Sequence, residues 1–308
     1  MAVSTQIEHG KISNESAEIF NKWPHVDSAA EAQRSYLEAV IKKDFFEPGA
    51  LLGEIMPLKG MNVVDAGCGS GFKSIHMASK GAAKVLGIDA ASIAVARATA
   101  HAEHFSLGNA IFIESYLENI VNVVKDNFPD GVDYVHNIAN IHHVSDPEKL
   151  VQDFYSILKS GGCATISWAE PTRGWPFLLK NRFCYILSNN PANRIKIGGM
   201  LFGWADKRYN PKGTNLEAWY ADLYAAFYAW IPLWKMIRYA RSAGFEVLET
   251  EPPMNAEHWL NMRRRVRDVS RVEKVVNLPL GRTVFTLLLR AKQFFEFGHT
   301  RSIIVRKP

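Results

Sequence analysis

The stretch Met61–Gly71, MNVVDAGCGSG, decides how this chain is read. A short run of β-type residues ending in Val63 and Val64 meets Asp65, and glycine then recurs at alternate positions, Gly67, Gly69 and Gly71. Glycine lacks the Cβ that keeps a bound molecule away from the backbone, so a buried strand is followed at once by a turn built for close approach. The next segment, FKSIHMASKG, reads as a helix that starts at the loop. Strand, glycine loop and helix in this order form the nucleotide-binding corner of a doubly wound α/β sheet. A dinucleotide fingerprint needs its third glycine one position later, where Phe72 stands, so the spacing argues against a nicotinamide or flavin enzyme.

Further short apolar runs follow at the spacing of alternating strands and helices. Lys84–Ala90, KVLGIDA, ends in Asp89, an acid about 20 residues after the glycines, where it can accept hydrogen bonds from both ribose hydroxyls of a nucleoside. AIFIES ends in Glu114 and Ser115. Val132–Ile138 leads into NIHHVSDPEKLVQDFYSILKSGGCATIS.

Together these five features, in this order over residues 61–170, resemble class I S-adenosylmethionine-dependent methyltransferases. The resemblance implies a doubly wound, mostly parallel seven-stranded sheet. It assigns cofactor binding to Asp65, Gly67, Gly69, Gly71, Asp89, Ala90, Glu114, Ser115 and Asn137, with Glu114 and Ser115 toward the adenine. It places His142 and His143 where family members put substrate-facing residues. Leu233–Ala243 with GFEVLETE resembles the family's last helix and sixth strand, and Arg301–Lys307 its seventh.

This scheme divides the chain into four parts. Residues 1–58 form an N-terminal helical extension, with helical spacing over Ser28–Phe46 ended by Pro48-Gly49. In the family such an extension often folds over cofactor and substrate; packing on the sheet is the other expectation. Residues 59–170 are the cofactor-binding core, 171–230 an aromatic-rich lid insertion, and 231–308 the end of the core, interrupted by a basic helical insertion at 252–300. Both insertions leave the sheet at the carboxyl ends of strands, the side on which doubly wound sheets bind ligands.

The insertions are distinctive in composition. Thr172–Trp234 holds fourteen aromatic residues in 63, twice the chain's 11%, which favours a lid with an apolar interior over a solvated loop. Trp175, Trp204 and Tyr209 are its candidate acceptor contacts. Residues 256–292 carry nine Lys or Arg against three acids, a surplus of +6 that exceeds the +5 of the whole chain. Arg264, Arg267 and Arg271 share a helical face there, which reads as a solvated face or as a site for an anion: a substrate phosphate, an acidic membrane or RNA.

Composition limits the remaining choices. A chain of 308 residues with 47% hydrophobic content can bury one large core. No apolar run approaches the roughly 18 residues of a membrane span, and the polar opening residues do not read as a secretory leader. Cys68, Cys163 and Cys184 lack metal-ligand spacing and read as reduced thiols, for which a cytoplasmic setting is expected.

Methyl transfer from a sulfonium is an in-line displacement, accelerated by holding nucleophile and methyl carbon close and aligned. A proton on the acceptor would be taken by His142, His143 or Glu170, with Asp206 and Tyr209 as weaker candidates. The expected acceptor is a small, largely apolar molecule, a specialised metabolite or a phosphorylated or prenylated compound. The alternatives are a non-catalytic protein that binds S-adenosylmethionine, and an RNA or protein methyltransferase. A nucleic-acid substrate is not expected, because NIANIHH stands where nucleobase methyltransferases carry an Asn/Asp-Pro-Pro-Tyr signature. No metal is expected; a homo-oligomer and peripheral membrane contact are both compatible with the sequence.

Overall fold

The computed structural model describes residues 12, 14–23, 37–38, 41–42, 58–206, 216–250, 260, 270–295 and 300–308, with the backbone alone for 172–176, 204–206, 290–295 and 300. Helical residues 14–22 form α1. The core then alternates β1 (Asn62–Ala66), α2 (Phe72–Ser79), β2 (Lys84–Asp89), α3 (Ser92–His104), β3 (Ala110–Glu114), α4 (Ile120–Asn127), β4 (Val132–Ile138), α5 (Pro147–Ile157) and β5 (Leu158–Ala169). The segment after β5 contributes α6 (Pro171–Leu187), α7 (Pro191–Asp206) and α8 (Leu216–Tyr220), the last running into a π-helical turn, Ala221–Ala225. The chain closes with α9 (Leu233–Ala243), β6 (Glu246–Thr250), α10 (Ser270–Val276), α11 (Gly281–Phe295) and β7 (Thr300–Arg306).

The seven strands form one sheet in the order β3-β2-β1-β4-β5-β7-β6, parallel except for β7, which pairs antiparallel with both neighbours. This is the sheet that the resemblance implied. The family's usual hairpin between β6 and β7 is replaced by the insertion, yet β7 still lies between β5 and β6.

Strand alternation divides the core into two layers. Val64, Leu86, Val135, Ala164 and Val305 face α4, α5 and α9, packing with Ile120, Phe154 and Met236. Val63, Val85, Tyr134, Cys163 and Ile304 face the other way, onto Ile75 and Met77 of α2 and Ala102 of α3. Leu37 of the N-terminal extension is fully buried in this second layer, with Ile41 beside it. That part of the extension therefore packs on the sheet, whereas α1, which sequence spacing had not singled out, lies elsewhere.

Trp168 near the end of β5 couples the core to the segment that leads into α9. Its side chain is fully buried and its indole N–H donates to the carbonyl of Ile231 at 2.6 Å. Trp168→Phe keeps an aromatic ring but leaves that buried carbonyl without its donor. Urea unfolding should show a loss of about 1–3 kcal/mol, the cost of a buried group left unpaired; a change within about 0.5 kcal/mol, as at an ordinary surface site, would show that the bond does not secure the junction.

Candidate functional site

The glycine loop is held from three directions. The N–H groups of Gly67 and Cys68 both donate to Ile88 O, at 2.7 and 3.1 Å. Gly69 N–H donates to Asp89 Oδ2 at 2.8 Å, while Asp89 Oδ1 accepts from Ala91 N–H at 2.9 Å. Asn140, just beyond β4, donates through Nδ2 to Gly67 O at 2.7 Å and to Ile138 O at 2.9 Å. Gly67 adopts φ +79°, and a Cβ there would lie 2.1 Å from the Asn140 side chain, so glycine is required on both counts. Gly69, at φ +51°, differs: a Cβ would meet nothing within 4 Å and would stand in open space. Gly71 is constrained by packing, since a Cβ would come within 2.8 Å of Ala98.

Asp65 is buried beneath the loop, where Ser74 of α2 donates its hydroxyl to Oδ2 at 2.5 Å. Burial raises its pKa from the ordinary 3.8 to about 6, against the opposing effect of the Ser74 bond. Asp89 is also shifted upward by burial, and its bonds from Ala91 and Gly69 oppose the shift.

Beside the loop opens a cleft of about 470 Å³, counting the open space at its mouth. Gly67, Asp89, Ala90 and Asn140 form its floor, Tyr116, Leu117 and Glu118 one wall, and His143 and Val144 another. Ser16, Ala17 and Phe20 of α1 close it from above. The wall after β3 begins beyond the expected pair: Glu114 is exposed at the strand end, and Ser115 donates its N–H to Asp89 O at 3.0 Å. Asn137 is buried under the loop and donates to Ala66 O at 2.8 Å.

The three candidate bases separate clearly. His142 is buried, its Nδ1 accepting the N–H of Ala169 at 3.2 Å and its ring stacked on Tyr228 at 4.8 Å. Burial, then the neighbouring His143, pushes its pKa well below 6.5, so the ring stays neutral. Glu170 is fully buried at the start of α6, where Oε1 accepts from Leu233 N–H at 3.2 Å and Oε2 lies 4.0 Å from Arg301 Nε. It ties the ends of β5, α9 and β7 together. Of the three, only His143 lines the cleft.

His143 sits on a 3-10 turn, Ile141–His143, directly after β4. Its Nδ1 lies 2.7 Å from Phe227 O. A carbonyl only accepts, so Nδ1 carries the hydrogen and the neutral ring presents Nε2 as its basic atom. Nε2 lies 3.6 Å from Asp222 Oδ1, which itself accepts the Tyr228 hydroxyl at 2.6 Å. Phe20 packs edge-on against the imidazole at 5.3 Å. Neither Asp222 nor Phe20 was picked out from sequence. Asp222 had a legible signal, being the one charged residue in WYADLYAAFYAW; Phe20 had none, because an aromatic in a short helix carries no address.

The acceptor contacts expected at Tyr209, Arg264 and Arg267 lie outside the described residues, as do the side chains of Trp175, Trp204 and Asp206. Arg271 is described and exposed on α10. Among the described residues no cluster of His, Cys, Asp or Glu is arranged to hold a metal, and Cys68, Cys163 and Cys184 are free thiols.

Residues 57–193 match a family described as "Methyltransferase domain". Over 124 residues the chain is 33% identical to a mitochondrial ubiquinone biosynthesis O-methyltransferase of Dictyostelium discoideum, covering 38% of each protein. Over 195 residues it is 28% identical to the ubiquinone biosynthesis O-methyltransferase of Cupriavidus pinatubonensis, covering 63% of this chain and 64% of that one. The aligned part thus spans less than two thirds of these relatives. A structure of the Haloferax volcanii Trm112 methyltransferase activator complexed with a methyltransferase superposes with TM-score 0.50 and 15% identity, covering 90% of this chain and 95% of that one. Over residues 57–193 the chain therefore resembles a methyltransferase domain, and its sheet has the class I fold. S-adenosylmethionine is the cofactor of that family, and the residues present fit it. Gly69 leaves free the space that a Cβ would fill, Asp89 faces the cleft, and the buried Ser16 Oγ in the cleft takes no hydrogen bond among the described residues.

Two outcomes follow. Asp89→Ala should weaken S-adenosylmethionine binding by about tenfold or more in calorimetry, since the charge-assisted bond that holds Gly69 and the carboxylate expected at the ribose are both lost. Gly69→Val should abolish binding while leaving the circular dichroism intact; retained affinity in either variant would move the cofactor away from this loop.

Asp65 makes the fold itself pH-sensitive. Its folded pKa lies above 3.8, so the folded state holds the proton more tightly than the unfolded chain. Its contribution to stability is thus greatest below 3.8 and is lost as pH rises to about 6. Asp65→Asn keeps an acceptor for Ser74 and should remove that part of the slope when melting temperature is followed against pH in ligand-free protein. A slope identical to the parent's would mean that Asp65 ionises without cost.

Proposed function

We propose that the protein transfers the methyl group of S-adenosylmethionine to a hydroxyl of a small, largely apolar acceptor. The observation that carries this reading is His143 in the cleft wall, with one ring nitrogen held by Phe227 O and the other beside Asp222. Bound at the glycine loop and Asp89, the cofactor would supply an electrophilic methyl group. What a hydroxyl acceptor needs from the protein is removal of its proton and a dry, aligned approach. His143 Nε2 takes the proton, and the Asp222 carboxylate stabilises the imidazolium that results. The Phe227 carbonyl keeps the ring in the tautomer that leaves Nε2 unprotonated beforehand.

Apolar surroundings supply the second requirement. Phe20, Leu117 and Val144 line the cleft, and behind His143 lie Tyr228 and Phe177 of the lid cluster. The relatives named as O-methyltransferases of ubiquinone biosynthesis support a hydroxyl acceptor, and a prenylated phenol suits both the apolar cleft and those names. Assignment to a cytoplasmic protein belongs to the same proposal. No helix among the described residues is long and apolar enough to cross a membrane.

With a prenylated catechol as acceptor, His143→Gln should lower kcat by about 10²-fold or more while S-adenosylmethionine binding persists, the usual contribution of a general base. Asp222→Asn should lower kcat less, because the imidazolium formed on proton transfer loses its neighbouring carboxylate. Full turnover by His143→Gln would remove the proton-transfer role, and binding of S-adenosylmethionine without turnover of any hydroxyl acceptor would favour the non-catalytic reading.

A further inference from the structure

Outside the cleft, two neighbouring helices leave apolar residues in solvent. Leu179, Ile186 and Leu187 of α6 are 50%, 77% and 51% exposed, and Val284, Leu287 and Leu288 of α11 are 52%, 59% and 62% exposed. At 3.6 residues per turn each triplet falls within an arc of about 100°, so each helix turns one apolar stripe outward. The two helices pack against each other. Solvated helix faces are ordinarily polar, and large apolar residues grouped on adjacent helices mark a surface that meets something.

Charge indicates what it meets. Residues 171–206 and 270–295 together contain ten Lys or Arg, of which Arg194 is buried against Glu15, and two acids, Asp206 and Glu273, whereas the whole chain has 36 basic and 31 acidic residues. The rest of the chain is therefore slightly acidic, and the positive surplus resides in these helical insertions. Arg182, Arg271, Lys274 and Arg282 are exposed. A self-complementary dimer through this surface would set these like charges against their own copies. RNA would satisfy the charges but gives the aliphatic stripes no partner. A bilayer with anionic headgroups accommodates both, taking the aliphatic side chains into the acyl boundary and the basic ones at headgroup level.

We propose that the outward faces of α6 and α11 dock this protein on an anionic membrane surface. Both insertions leave the sheet at the strand ends that carry the cleft, the α6 insertion after β5 and the α11 insertion after β6. Docking is independent of the acceptor's identity and of the proton-transfer role of His143.

Co-sedimentation with phosphatidylcholine vesicles containing about one third phosphatidylglycerol, compared with phosphatidylcholine alone, tests this. The full chain should bind the anionic vesicles and should release as salt rises. Arg182→Gln with Arg282→Gln should weaken binding about fivefold per charge removed. Val284→Ser with Leu287→Ser should weaken it at every salt concentration. All four positions are exposed, and S-adenosylmethionine binding monitors the fold; if one pair disturbs it, the other pair decides. Absent vesicle binding, binding unaffected in both folded pairs, dimerisation in the ultracentrifuge without vesicle binding, or capture of an RNA oligonucleotide in place of vesicles would each overturn the proposal. Methyl transfer to a soluble catechol, measured in parallel, separates failure of docking from failure of the methyltransferase reading.

Discussion

The left-handed turn at Gly67 is the constraint on which the site depends. The backbone leaves β1 at φ +79° with a side chain of β4's following loop packed where a Cβ would be, and only glycine permits both. Because Asn140 bonds to Gly67 O and Ile138 O, the loop after β1 and the loop after β4 are set as one unit. Asp89 fastens the same unit to β2 through Gly69 N–H. Ala139, left-handed at φ +59° without being glycine, lies at this junction. Such conformations carry strain and persist where neighbours over-determine them. The floor of the cleft and the turn that bears His143 are thereby fixed relative to each other.

The cover of the cleft is a composite. α1 supplies Ser16, Ala17 and Phe20 to the lining, while its other side packs Ile19 against Ile195, Ala221 and Ala225 of the lid. Glu15 pairs with Arg194 of α7, which is buried and lies over the Tyr185 ring at 3.7 Å. Arg194 is buried and Glu15 partly exposed, so desolvation of the guanidinium offsets much of the attraction. The pair's strict geometry makes it a means of register, and here it sets α1 against the lid. Asn21 adds a contact to Ser92 and Ile93 at the start of α3. The π-helical turn Ala221–Ala225 belongs to the same unit, carrying Asp222 toward His143 and Ala221 and Ala225 toward α1.

Legibility differed by element for physical reasons. β1, β2 and β4 could be read because a buried parallel strand is a short apolar run, and their order could be read because glycines and acids sit at strand ends. Asp89 and Ala90 line the cleft, at a position that depends only on strand register. Glu114 and Ser115 were less legible: the wall after β3 is made by Tyr116–Glu118, through a turn whose geometry sequence spacing does not specify. Adjacent histidines are equivalent as letters, yet in the 3-10 turn one ring faces the core and the other the cleft. The N-terminal extension held a similar surprise, because its strongest helical pattern, near Leu37, packs on the sheet, while the less conspicuous residues 14–22 reach the cleft.

Local chemistry in the sequence determined the sheet, the loop that turns toward a nucleotide and the acid beside it. These follow from periodicity and from the conformational freedom of glycine, both properties of neighbouring residues. The environment of His143 was decided by the tertiary structure alone. Phe227 and Asp222 lie some eighty residues away in the chain, and the pair of Glu15 and Arg194 joins segments farther apart still. Which distant groups meet depends on how the lid and α1 fold back over the carboxyl ends of the strands. No spacing within the sequence encodes that return, because it is set by packing between faces that come together only in the folded chain.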